Sequence, residues 1–264
     1  MNVQIDVPAA GAWFEGHFPG RPILPGVAEL ALILDALANG THTPPALQGI
    51  AFARLRRLVL PGERLELEAR ERDASRLRFE LKHAGRLVAN GELVLGPPLV
   101  PPAAACISGP AAAEAVLPAP DLLLPHRPPM RFLSSILQQT GDGLTAAGSV
   151  PGKCALAARG SVPALATIEA AAQAAAAWEA LRRWNDSGRA EPRVGYLVAM
   201  QDVEFFVGRL PADRLFTVSV RLEALTLPLS RYRFEAALEG RLLARGAIST
   251  FLDVQDGQQT DAKS

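Results

Sequence analysis

Two cysteines in 264 residues, Cys106 and Cys154, are too few for a disulfide scaffold and fit a reducing compartment. Neither sign of charge is in excess: Lys plus Arg and Asp plus Glu both number 27. No global field therefore steers the chain toward nucleic acid or an anionic membrane. No apolar run reaches membrane-spanning length, and M-N-V-Q-I-D-V-P at the start lacks the basic and apolar regions of a signal peptide. The scarce histidines and cysteines give no metal-ligand spacing, and no glycine-rich phosphate loop occurs. These absences predict a soluble, cytoplasmic protein that needs neither metal nor nucleotide.

Proline and glycine, by contrast, are plentiful, at 22 each, and they punctuate the most informative stretch. From Gly16 to Asp35 the chain reads G-H-F-P-G-R-P-I-L-P-G-V-A-E-L-A-L-I-L-D. A histidine in a stiff turn is followed at once by an apolar helix, expected from about Gly26 to Ala38. A titratable group directly before a helix N-terminus suits acid–base chemistry beside an electropositive backbone end. The helix is apolar on nearly every face, which predicts enclosure. Alternation predicts a strand at Asn2–Val7, and Gly49–Leu60 reads as extended with an Arg cluster. Further strands are expected at Arg64–Arg70, Arg76–Lys82 and Arg86–Leu95. One helix followed by antiparallel strands is an α+β pattern.

Pro97 to Pro120 interleaves prolines with alanines, as a semi-rigid linker does. Beyond it the pattern repeats. Arg78-Phe-Glu recurs as Arg233-Phe-Glu, and Gly85-Arg-Leu-Val-Ala-Asn-Gly recurs as Gly240-Arg-Leu-Leu-Ala-Arg-Gly at the same offset; Leu60-Pro-Gly-Glu-Arg-Leu returns as Leu210-Pro-Ala-Asp-Arg-Leu. A second central helix is expected from Pro163 to Trp184. Its alanine run, Ala170 to Ala177 around Gln173, fits strands wrapping closely or a mere compositional bias. The organisation expected is an internal pseudo-dimer: residues 1–96, a linker over 97–120, residues 121–256, and a polar tail from 257 to 264.

The segment Gly16-His17-Phe18-Pro19-Gly20-x-Pro22-x-x-Pro25-Gly26-Val27 resembles the signature of hot-dog-fold 3-hydroxyacyl-(acyl-carrier-protein) dehydratases. Leu124-Pro125-His126-Arg127-x-Pro129-Met130 is similar to the opening motif of the same family. The stretch from Tyr196 onward resembles the dehydratase-like proteins of bacterial aryl-polyene (xanthomonadin-like) pigment clusters, and the first half resembles their HFPG-bearing partner. The resemblance implies two tandem hot-dog domains packed as a double hot dog. It also implies a site shared between them, with a histidine from one half and an acid from the other half's helix, fourteen positions on in sequence.

Fourteen after His17 stands Ala31, so the first half has the base and lacks the acid. Aligning Pro163 with Pro25 places Glu169 opposite Ala31 and Ala155 opposite His17. The losses are complementary: one composite site, His17 with Glu169, is expected, and its pseudo-symmetric counterpart is dead. Glu29 lies about 200° around the helix from Ala31 and is expected to be structural, like Asp35, which matches the position of Gln173.

The resemblance assigns His17 as base and Glu169 as an acid kept protonated by burial. It assigns the Gly26 N–H as oxyanion contact, and Phe18, Pro19, Gly20 and Gln173 as support. His126 and Arg127 are expected to be structural, shaping a rigid turn between prolines. His42 and His83 carry no signal. The reaction implied is dehydration of 3-hydroxyacyl thioesters to trans-2-enoyl thioesters in fatty-acid-like or aryl-polyene biosynthesis. The substrate is carried on the phosphopantetheine of acyl carrier protein, with no other cofactor. Arg21, Arg54, Arg56 and Arg57 present either a carrier-protein contact or a solvated strand face. A ketosynthase of the same pathway and further assembly of pseudo-dimers are other implied partners. A hot-dog thioesterase and a non-catalytic acyl-carrier-binding scaffold subunit are the alternative readings.

Overall fold

The computed structural model describes residues 1–39, 46–102, 117–187 and 192–253. Its first half runs β1 (Asn2–Asp6), α1 (Gly26–Asn39), β2 (Leu47–Leu55), β3 (Arg64–Glu71), β4 (Arg76–His83) and β5 (Arg86–Leu95). The short α2 (Pro120–Leu123) then leads to β6 (Leu133–Gln139), β7 (Gly143–Gly148), β8 (Ser161–Pro163) and α3 (Ala166–Ser187). The chain ends through β9 (Gly195–Phe205), β10 (Arg209–Pro211), β11 (Phe216–Thr226), β12 (Leu229–Leu238) and β13 (Arg241–Leu252).

Period-two alternation explains the strands: in β3 and β4, Leu65, Leu67, Leu77, Phe79 and Leu81 are buried while Arg64, Glu66, Arg76 and Arg78 face outward. Eleven strands form one antiparallel sheet ordered β1-β3-β4-β5-β2-β9-β13-β12-β11-β7-β6. Read outward from its centre, β2-β5-β4-β3-β1 mirrors β9-β13-β12-β11-β7, so the chain is built as a pseudo-dimer. The two halves join where β2 pairs antiparallel with β9, Gly49 opposite Glu204 and Ala53 opposite Met200. The sequence repeats fall on equivalent places: Arg78 and Arg233 lie in β4 and β12. Gly85 and Gly240 close equivalent hairpins in the left-handed conformation, at φ 74° and 77°.

The helices fill the concavities of this sheet. In α3, Ala166, Ala170, Ala171, Ala174, Ala175 and Ala177 are all fully buried, against β6, β7, β11, β12 and β13. The alanine run is therefore a packing device, and each added methylene there would overfill a closed interior. Helix α3 begins at Ala166 rather than Pro163 because Ser161–Pro163 pairs with Arg209–Pro211 as β8 and β10. In the expected linker, Leu99 N–H donates to Phe205 O at 2.9 Å, and Pro120 already belongs to α2. Residues 103–116, with Cys106, lie outside the described residues, as do His42 and the tail expected from 257. No helix among the described residues is long and apolar enough to cross a membrane.

Candidate active site

The loop carrying His17 is made of successive turns, Phe14 N–H to Gly11 O, His17 N–H to Phe14 O and Arg21 N–H to Phe18 O. Ring contact with Phe18, centroids 4.2 Å apart, and a 3.2 Å contact between His17 Nδ1 and Ile23 O hold the imidazole. With Nδ1–H donating to that carbonyl, Nε2 is the bare nitrogen. The loop docks on the second half's Pro125–Met130 segment: Arg127 N–H donates to Gly16 O at 2.9 Å. Gly16 has φ 79°, and a Cβ there would stand 1.9 Å from Arg127 O, so only glycine permits the contact. Arg127 itself braces its turn by donating from Nη1 to Leu124 O and His126 O, both at 2.9 Å.

This docking brings His126 into the site, which corrects the expectation that it is merely structural. His126 Nε2 lies 3.3 Å from Glu169 Oε1, and its ring stands 5.5 Å from that of His17 and 4.9 Å from that of Phe18. The sequence read its neighbouring prolines as a turn; the contact that matters comes from Gly16, far away along the chain. Glu169 sits in the first turn of α3, buried. Gln173, one turn on, donates from Nε2 to Glu169 Oε1 at 3.0 Å and to Met130 O at 2.7 Å, and accepts from Phe132 N–H at 2.8 Å. One amide thus ties the acid to the loop carrying His126.

Burial lowers the His17 imidazole to about 4, against the opposing charge of Glu169, so it is neutral at ordinary pH. Burial acts to raise the Glu169 carboxyl, but hydrogen bonding and charge from His126, with further help from His17 and Gln173, outweigh it and hold the group well below the usual carboxylate range. The expectation of a protonated Glu169 is thereby corrected: its hydrogen-bonding neighbours favour the carboxylate. Among the described residues His17, His126 and Glu169 form the one group of three potential metal ligands, with ligand atoms within 4.8 Å of one another. Sequence spacing did not foreshadow this cluster, because its members come from three separate segments. A cation there would have to share Glu169 Oε1 with the bonds from His126 and Gln173.

These residues line a cavity of about 420 Å³, together with Phe18, Gly26, Leu55 and Tyr196. Gly26 opens α1, where a first-turn N–H has no intrahelical acceptor and lies at the positive end of the helix dipole. A Cβ on Gly26 would meet Leu55 Cδ1 at 2.3 Å. Pro19 and Gly20 lie on the exposed outer turn of the histidine loop and not on the cavity wall. Ala31, Asp35 and Ala155 are likewise absent from the wall; Asp35 is exposed. The arginine cluster divides. Arg57 is half-buried and bidentate to Glu63, at 3.0 and 2.7 Å, and lines the cavity with Arg21 and Arg56. Arg56 donates to Asn90, Arg21 reaches Asp253 at 3.5 Å, and Arg54 lies over the Phe52 ring.

A double hot dog with a buried histidine–carboxylate site at the junction of its halves defines the class as that of the hot-dog dehydratases. Residues 118–260, over half of the chain, match the ApeP-like family (ApeP dehydratase), and residues 1–92 match the ApeI-like family (ApeI dehydratase). The chain belongs to the ApeP-like dehydratase family, with an ApeI-like first half joined to it. Curated relatives include the 3-hydroxyacyl-[acyl-carrier-protein] dehydratase FabZ of Myxococcus xanthus, 44% identical over 80 residues, covering 25% of this chain and 47% of that protein. FabZ of Bordetella pertussis is 37% identical over 111 residues, covering 35% and 66%. The chain thus spans between about half and two thirds of the length of these relatives. Among solved structures, a trans-AT PKS dehydratase domain from Brevibacillus brevis aligns at TM-score 0.71 and 14% identity, over 96% of this chain and 94% of that one. The dehydratase domain of PpsC from Mycobacterium tuberculosis aligns at 0.68 and 16%, over 96% and 93%. At those identities the likeness is one of fold.

Proposed function

We propose that the chain dehydrates 3-hydroxyacyl thioesters to trans-2-enoyl thioesters at one composite site between its halves. The observation that carries this reading is that buried His17 and Glu169, with ligand atoms within 4.8 Å of one another, line the same cavity as Gly26. Bare Nε2 of His17 takes the C2 proton. Negative charge developing on the thioester oxygen is met by the Gly26 N–H, a type of contact worth about 3–4 kcal/mol in such sites. The Glu169 carboxylate accepts a hydrogen bond from the 3-hydroxyl and stabilises the His17 imidazolium that forms. As the C3–O bond breaks, the imidazolium proton passes to the departing oxygen, so that water and the enoyl thioester leave and His17 is neutral again. His126 holds Glu169 in its ionised, oriented state.

The substrate is proposed to arrive on the phosphopantetheine of acyl carrier protein, downstream of a ketosynthase, with no further cofactor. Kinship with ApeP and ApeI dehydratases supports an acyl chain of the aryl-polyene type. The test is conversion of a 3-hydroxyacyl pantetheine thioester by the purified chain, followed by mass loss of water and by absorbance of the conjugated product. Glu169→Gln keeps the shape and loses the charge, and is expected to reduce kcat/KM about 10²- to 10³-fold. Free acid in place of enoyl product would identify a thioesterase instead, and no turnover at all would identify a scaffold.

Protonation states give a second expectation. His17 works when neutral, so activity is present above its pKa of about 4 and falls as pH drops through that value. Glu169 works ionised with its pKa lowered, so it adds no alkaline limb. The kcat/KM profile of the free enzyme should be flat from about pH 5 upward. An alkaline limb near neutrality would show instead that Glu169 must start protonated.

A further inference from the structure

Among the described residues, two buried side-chain atoms have no hydrogen-bond partner, Glu29 Oε2 and His126 Nδ1. Both residues line the same cavity. His126 already belongs to the site; Glu29 has no part in the chemistry above. It stands in the first turn of α1, 3% exposed, one turn along the helix from Gly26. The cation whose charge acts on it is Arg57, whose Nη1 and Nη2 are committed to Glu63 and whose Nη1 also donates to Leu58 O. Burial raises the Glu29 carboxyl well above its ordinary value, only partly offset by Arg57, so the group is neutral, with one O–H to donate and oxygens to accept. A buried carboxyl without a partner is costly. Toward the wall of a cavity, the missing partner is a ligand's to supply.

We propose that Glu29 is the recognition group for a hydroxyl carried by the acyl chain away from its reacting carbons. This rests on the reading of the cavity as an acyl-thioester site. Arg21, 49% exposed, and Asp253 also line the cavity; that water-exposed part is where the proposal places the pantetheine arm. Beside buried Glu29 a purely hydrocarbon chain would leave the carboxyl unpaired, whereas a phenolic or aliphatic hydroxyl would both accept from it and donate to it. Specificity of this kind arises because the wrong ligand strands a buried polar group.

The experiment measures equilibrium binding to the intact chain of non-reacting acyl-pantetheine amides. They are matched pairs of graded chain length, ending in phenyl or in 4-hydroxyphenyl. At the length that reaches Glu29, the hydroxylated member is expected to bind about tenfold more tightly. The two affinities should converge in Glu29→Leu, and a preference should survive in Glu29→Gln, which still donates and accepts. Equal affinities at every length in the unsubstituted chain overturn the proposal, as does a preference that persists in Glu29→Leu. The melting temperature of Glu29→Leu should rise by about 2–4 °C, as loss of an unpaired buried carboxyl requires; a fall would show that Glu29 makes a structural bond and would also overturn the proposal. Dehydration of a plain 3-hydroxyacyl thioester is read separately, so that failure of the reaction and failure of this recognition are told apart.

Discussion

Replacing His17 with alanine is expected to lower kcat/KM for dehydration at least about 10³-fold while leaving the chain folded. His17 is the base in the proposed reaction and, as imidazolium, the proton donor to the departing oxygen. General acid–base catalysis at one positioned group contributes about 10²- to 10⁴-fold, and a group acting twice belongs at the upper end. The structural losses are modest: one contact to Ile23 O and the ring contacts with Phe18 and His126. Folding is checked by the melting transition and substrate binding by a non-reacting analogue. Activity within tenfold of the unsubstituted chain would remove His17 from the chemistry.

A single methyl group at Gly16 is expected to do comparable damage from outside the chemistry. The Cβ of Gly16→Ala would fall 1.9 Å from Arg127 O, 2.8 Å from its carbonyl carbon and 3.0 Å from Pro128 O. All three are backbone atoms, and no rotamer relieves the clash. The residue is also held at φ 79°, which costs an alanine about 1–2 kcal/mol by itself. The two loops must separate, and with them His17 from His126 and Glu169. We expect a loss of about 3 kcal/mol or more in stability and of at least about 100-fold in kcat/KM, the effect of misplacing reacting groups by about an ångström. Gly20→Ala is the control: its φ is 82° but nothing lies within 4 Å of the added Cβ, so it carries the conformational cost alone. Equal behaviour of the two variants in unfolding and turnover would show that the loop–loop contact is dispensable.

The pseudo-dimer was legible because the strand patterns and the hairpin around Gly85 return around Gly240, and mirrored strands need mirrored alternation. The meeting of His17 with Glu169 was legible from two complementary absences, Ala31 and Ala155. What the sequence hid depends on contacts between distant segments. His126 sits between prolines that explain it locally, and its position beside Glu169 follows from Arg127 docking on Gly16. The downward pull on the Glu169 carboxyl was hidden for the same reason: an apolar helix predicts a carboxyl raised by burial, and only the fold supplies the His126 and Gln173 hydrogen bonds that oppose it. Glu29 read as a structural acid because it points away from Ala31. That direction turns it toward the cavity, while Arg57, its natural partner, is taken by Glu63.

The central claim, that His17 and Glu169 act as one unit across the two halves, is tested most directly by a double-mutant cycle. Dehydration of one 3-hydroxyacyl pantetheine thioester would be measured with the unsubstituted chain, His17→Ala, Glu169→Gln and the double variant. Groups that act as a unit are strongly non-additive, so the double variant should be about as slow as His17→Ala alone. Losses that multiply across the two substitutions, or near-normal turnover in either single variant, would contradict a composite site.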